Sequence, residues 1–137
     1  MGGELLLDTG AFIALVDRSE KRHADCVKVL DDWHGPIVTT EAVVTETLYL
    51  VGPQWRAQRN CLEFLLRGAF LLIPSTTATL HRASVLMEKY HNVPMDFADA
   101  TLVALGEELA TDIVFTLDRR GFSTYRLNQK KPFQILP

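Results

Sequence analysis

Apolar residues in this chain alternate between two patterns. Short continuous runs occur at Leu5-Leu6-Leu7, Ile37-Val38, Ala69 to Ile73, Asp112-Ile113-Val114-Phe115-Thr116 and Phe133 to Leu136. Runs of this length and continuity suit strands buried on both faces, as in a parallel sheet. Between them, apolar residues recur at helical spacing. The spacing predicts helices over Ala11 to Val16, Asp17 to Asp32 with Ala24, Val27 and Leu30 inward, and Glu41 to Val51. It predicts three more over Trp55 to Arg67 with Leu62, Leu65 and Leu66 inward, Thr77 to His91 with Leu80, Ala83, Leu86, Met87 and Tyr90 inward, and Phe97 to about Ala110 with Phe97, Ala100, Val103, Ala104 and Leu105 as its apolar face. Thr9-Gly10, Gly35-Pro36, Gly52-Pro53, Gly68, Pro74 and Pro94 punctuate the chain. Strands alternating with helices predict an α/β fold: a three-layer α/β/α sandwich with a mostly parallel sheet of about five strands. The last strand, flanked by Pro132 and Pro137, is expected at an edge.

Composition narrows this picture. At 137 residues the chain fits one domain, taken as 1–137, with enough length for a core. A net charge of −3 excludes a simple polycationic nucleic-acid binder but leaves room for a local basic patch. Cys26 and Cys61 form no CxxC pair. That argues against zinc and against a disulfide scaffold, and fits a reducing cytoplasm. Met1 to Glu4 carries no basic segment, and the apolar run after it is three residues long. No signal peptide or membrane span is expected.

The candidate chemistry lies in the acids. Asp8 and Asp118 follow apolar runs, so they stand at the carboxyl ends of predicted strands, where open α/β sheets bind ligands. Asp99 opens a helix three residues after Asp96, its predicted N-cap. Glu46 lies in a helix among Ala42, Val43, Val44, Leu48, Tyr49 and Leu50, and a half-buried glutamate is costly unless paired or metal-bound. Each acid has a plainer reading: Asp8 and Asp118 as helix caps, Glu46 as a surface glutamate. Together they form a set from strand ends and helix starts, with Asp96 a fifth candidate. Clustered carboxylates need a cation, and oxygen donors without Cys or His point to Mg²⁺ or Mn²⁺. Such a set suits metal-dependent phosphodiester hydrolysis, and acids at strand ends also serve other metal-dependent phosphoryl enzymes. Neither GxxxxGK[ST] nor GxGxxG occurs. An aspartyl-phosphate enzyme would want an acid two residues after Asp8, where Gly10 stands.

Four segments carry a family resemblance. Leu5-Leu6-Leu7-Asp8-Thr9-Gly10-Ala11-Phe12-Ile13-Ala14-Leu15, Glu46 in its helix, Pro94-Met95-Asp96-Phe97-Ala98-Asp99-Ala100 and Phe115-Thr116-Leu117-Asp118-Arg119-Arg120-Gly121-Phe122 follow in the order of PIN-domain motifs. Over essentially the whole chain the sequence resembles the VapC-type toxins of toxin–antitoxin systems. The resemblance implies a Mg²⁺- or Mn²⁺-dependent ribonuclease in which Asp8, Glu46, Asp99 and Asp118 bind metal and Asp96 caps its helix near the ion. It makes Thr9 and Thr116 supporting residues, Thr116 ordering the site by hydrogen bonding. It further implies RNA as substrate, a homodimer, and a cognate antitoxin that inserts a peptide into the groove. A housekeeping PIN nuclease of RNA processing and a non-catalytic PIN-fold binding module are the alternatives. Gly121 departs from relatives, which often carry Asp or another polar residue there. Because RNA must approach an acidic site, rim cations are needed: Arg119 and Arg120 first, Lys130 and Lys131 after them.

Overall fold

The computed structural model describes residues 3–137, so Met1 and Gly2 of the amino-terminal segment lie outside the described residues. In chain order the elements are β1 (Leu5–Leu7), α1 (Thr9–Val16), α2 (His23–Asp32), β2 (Ile37–Thr39), α3 (Glu41–Leu50), α4 (Trp55–Leu66) and β3 (Leu71–Leu72). They continue with α5 (Thr77–Lys89), α6 (Phe97–Leu109), β4 (Ile113–Phe115), α7 (Arg119–Thr124), β5 (Arg126–Leu127), β6 (Lys131–Pro132) and β7 (Gln134–Leu136). Five strands form one sheet in the order β3-β2-β1-β4-β7. Every pairing in it is parallel. The expected α/β architecture and the edge position of the last strand are therefore present.

Why β1 sits at the centre is a matter of burial. Leu5, Leu6 and Leu7 are wholly buried, and a strand hidden on both faces has no polar position to spend on solvent. Leu7 lies in register with Phe115 of β4. The residues after both strands, Asp8 and Asp118, are thereby delivered to the same end of the sheet. Helix α1 packs behind β1 through Ala11, Phe12, Ala14 and Leu15, and the Phe12 ring meets Phe70 edge-on at 5.2 Å. Helix α6 is buried from Ala98 to Gly106. At Gly106 an added Cβ would lie 2.9 Å from the Thr111 carbonyl and 3.0 Å from Leu6 Cδ1, so the closeness of α6 to the sheet depends on that glycine.

Several expectations fail in detail. The helix expected over Asp17 to Asp32 begins only at His23. Ser19 donates from both its backbone nitrogen and its hydroxyl to Asp17 Oδ1, a local turn that competes with helix. Within α2 it is Cys26 that is buried, while Ala24 is exposed. Leu62 and Leu66 do not pack inward: they are 38% and 80% exposed, and Cys61, Phe64 and Leu65 face the core instead. Leu80 of α5 and Phe97 at the start of α6 are also exposed. The third strand shrinks to Leu71–Leu72, an exposed edge. Thr9 and Gly10 open α1 rather than forming a turn. The small antiparallel pair β5–β6 has no counterpart in the sequence reading. Among the described residues no helix is long and apolar enough to cross a membrane.

Candidate active site

The acid cluster is assembled from four parts of the chain. Asp8 sits between β1 and α1 in the N-cap position, yet its side chain makes no capping bond. It is buried and accepts instead from the Thr116 hydroxyl at 2.7 Å. The same Thr116 oxygen accepts from the Asp118 backbone nitrogen at 2.9 Å. Thr116 thus links the acid after β1 to the loop after β4. Asp118 does cap its helix, α7, accepting from the Gly121 nitrogen at 3.1 Å, and remains exposed. Glu46, half-buried on α3, accepts from the Thr9 hydroxyl at 2.5 Å, which draws α3 to the start of α1. Asp96 caps α6 through the Asp99 nitrogen at 2.8 Å. Asp99, one turn in, is buried.

Burial and mutual repulsion set the electrostatics. Asp99 is pushed up to about 8, first by burial, then by the charges of Asp8 and Asp96. Asp8 is pushed up to about 6, again mainly by burial, with Asp118 and Asp96 adding and the Thr116 hydrogen bond opposing. Glu46 is raised by burial and by the neighbouring Asp96 carboxyl. Among the described residues none of these five acids forms an ion pair; the ion pairs engage other acids. The fold therefore gathers carboxyl groups at the carboxyl end of its sheet, and among the described residues no cation is paired with them.

One member was not legible in the sequence. Tyr125, wholly buried after α7, donates its hydroxyl to Asp99 Oδ2 at 2.9 Å. The bond spans 26 positions, and no local pattern points to it. Beside Glu46 and Asp96 opens a groove of about 450 Å³ lined also by Ala42, Thr45, Tyr49, Phe97 and Ala98. The rim cations are distributed unevenly. The Arg119 guanidinium is bonded to the Pro137 carbonyl, whereas Arg120 is exposed. Lys131 pairs with Asp112 at the amino end of β4, away from the acids, which removes it from the rim.

An all-parallel five-stranded sheet with acids at its carboxyl ends defines the class, and the PIN-domain family model matches residues 5–127. The chain belongs to the PIN-domain family. Within it, Ribonuclease VapC26 of Mycobacterium tuberculosis is 31% identical over 135 residues, covering 97% of this chain and 100% of that protein. Three solved structures share the fold. The sarcin–ricin-loop-cleaving toxin VapC20 of Mycobacterium tuberculosis superposes with a TM-score of 0.77 at 18% identity, over 84% of this chain and 90% of its own. A toxin–antitoxin complex from Klebsiella pneumoniae gives 0.66 at 20% identity, over 88% and 91%. VapBC2 of Rickettsia felis, bound to a promoter DNA fragment, gives 0.70 at 12% identity, over 98% and 99%.

Proposed function

We propose that this protein is a ribonuclease of the toxin type that hydrolyses RNA phosphodiesters with Mg²⁺ or Mn²⁺. The observation that carries the reading is the uncompensated cluster itself: Asp8 and Asp99 are buried, hold raised pKa values and face further acids, with no ion pair to any of them among the described residues. Such an arrangement is costly unless something positive enters. The donor set is all oxygen, which suits a hard divalent ion and not zinc. Asp8, Glu46, Asp99 and Asp118 would hold it, with Asp96 beside them. As they lie, among the described residues no three Asp, Glu, His or Cys side chains converge on one point. Asp8 and Asp99 are held by Thr116 and Tyr125, so binding would require Asp118 and Glu46 to turn toward the ion. When bound, the cation polarises the phosphodiester, acidifies a water and stabilises the leaving oxygen.

The chain's own residues do the rest. Thr116 holds Asp8 in place, and Thr9 keeps Glu46 beside the site. Arg120, exposed next to the acid loop, supplies attraction for the RNA backbone. Arg119 contributes only if it leaves its bond to Pro137. A cognate antitoxin belongs to this reading, which the toxin–antitoxin assemblies among the structural relatives support. A homodimer fits the large apolar side chains left exposed, including Tyr49 at 81% and Trp55 at 57%. No candidate acid is missing, so a binding-only module has no support from the sequence.

The test is RNA cleavage by the purified protein. Cleavage is expected with Mg²⁺ or Mn²⁺, abolished by a chelator and restored by excess metal. Cleavage that survives complete chelation would remove the metal from the account. Growth arrest on expression, relieved by a small neighbouring protein, separates the toxin from a housekeeping nuclease.

A further inference from the structure

Tyr125 is a fully buried side chain whose hydroxyl is spent on an acid of the site. A buried tyrosine needs a partner for its hydroxyl, but any carbonyl would serve. Here the partner is Asp99, itself buried. The phenol has little freedom to swing away. Tyr90 and Phe122 meet its ring edge-on, both at 5.1 Å. Phe122 is in turn braced by Phe133 at 5.6 Å. Below the ring, Arg126 donates its backbone nitrogen to the Tyr90 hydroxyl at 3.1 Å. The Arg126 guanidinium donates to the carbonyls of Ser123, Thr124 and Tyr125, fixing the exit from α7.

Gly121 supplies a second, independent observation. A Cβ at that position would stand 2.5 Å from Asp118 Oδ2 and 3.1 Å from the Tyr125 hydroxyl. No side chain fits there without displacing one or the other. The bare position lets an acid of the loop after β4 and the hydroxyl that holds the acid of α6 come together over one turn of α7. The absence of a side chain at Gly121 thus has a local physical use.

We propose that Tyr125 is a positioning residue for the metal site: through its hydroxyl it fixes the Asp99 carboxylate in the orientation that meets the ion, and Gly121 keeps the space that Tyr125 and Asp118 share. The inference rests on the ribonuclease reading above. Partners of this kind behind a metal ligand typically change metal affinity about 10–100-fold when removed. A role limited to packing would not, because phenylalanine fills the same volume.

The experiment is titration of Mn²⁺ alone into the full chain by calorimetry, with RNA cleavage measured alongside, for wild type and Tyr125→Phe. Tyr125→Phe is expected to bind Mn²⁺ about 10–100-fold more weakly and to lose kcat, with KM for RNA within about twofold of wild type. A folded Tyr125→Phe whose Mn²⁺ affinity equals that of wild type overturns the proposal. If that variant does not fold, Gly121→Ala carries the same expectation, since it keeps the phenol and intrudes on both its hydroxyl and Asp118; unchanged Mn²⁺ affinity there overturns the proposal equally. Wild type that binds no Mn²⁺ and cleaves no RNA defeats the ribonuclease reading and this inference with it. Wild type that does both, alongside variants that match it, defeats the inference alone.

Discussion

Asp99→Asn should lower metal-dependent RNA cleavage by on the order of 10³-fold while making the metal-free protein harder to unfold. The two effects have one cause. Asp99 is buried, and its carboxyl is pushed up to about 8 by that burial and by Asp8 and Asp96. In the metal-free protein a charge there is a burden, and one pKa unit corresponds to about 1.4 kcal/mol. The amide removes the charge but still accepts from the Tyr125 hydroxyl. Set against the weaker hydrogen bond, the net gain near pH 8 should be about 2–4 kcal/mol, or a rise in Tm of roughly 7–14 °C. Cleavage assays with Mn²⁺ and thermal melts in chelator check the two halves separately. A variant that is both inactive and less stable would mean that Asp99 is an ordinary buried polar residue of the core.

The second large effect is on the pH dependence of stability and its reversal by metal. Asp8 and Asp99 bind protons more tightly in the folded chain than in the unfolded one, with values near 6 and 8 against an ordinary 3.8. Between the ordinary value and about 8 the folded protein therefore holds protons that the unfolded chain has released. Stability contributed by these groups is fully present at low pH and is lost as pH rises through that window. The metal-free protein should melt progressively earlier between about pH 5 and pH 8. Mn²⁺ competes for the same carboxylates, so its stabilisation should be small near pH 5 and largest near pH 8. At a hundredfold excess over its Kd it should add about 3 kcal/mol there. Melts with and without Mn²⁺ across this range measure both trends. A metal shift that shrinks as pH rises would place the ion on groups other than these.

Much of this was legible in the residues. Leu5 to Leu7 announces a doubly buried strand, and the alternation that follows leaves few choices besides a parallel sheet with helices on both faces. Asp8, Asp99 and Asp118 were visible because each interrupts an apolar context at an element end, where the fold gathers such residues, and Glu46 because it stands among apolar neighbours inside its helix. Asp96 and Asp118 show that the plainer reading and the functional one are compatible: both cap helices through backbone nitrogens while standing in the cluster. Asp8 went the other way, leaving its cap position unused and turning to Thr116.

What remained hidden was non-local or depended on helix orientation. Periodicity gives a stripe but not which way it faces, so Leu62 and Leu66 were placed inward although α4 rests on Cys61, Phe64 and Leu65. Phe97 belonged by spacing to the apolar face of α6, yet at its amino-terminal start it borders the groove beside Glu46. Strands of two residues, as in β5 and β6, carry too little pattern to be seen. Tyr125 meets Asp99 only because the chain leaving α7 packs back against α6 through β5, a consequence of tertiary packing.

The central claim is that these acids hold a divalent ion at the carboxyl end of the sheet. A crystal of the protein soaked in Mn²⁺, with anomalous scattering recorded, tests it most directly. The account predicts an anomalous peak ligated by Asp8 and Asp99, with Asp118 and Glu46 turned toward it. No peak among these residues, or a peak bound only elsewhere on the molecule, would contradict it.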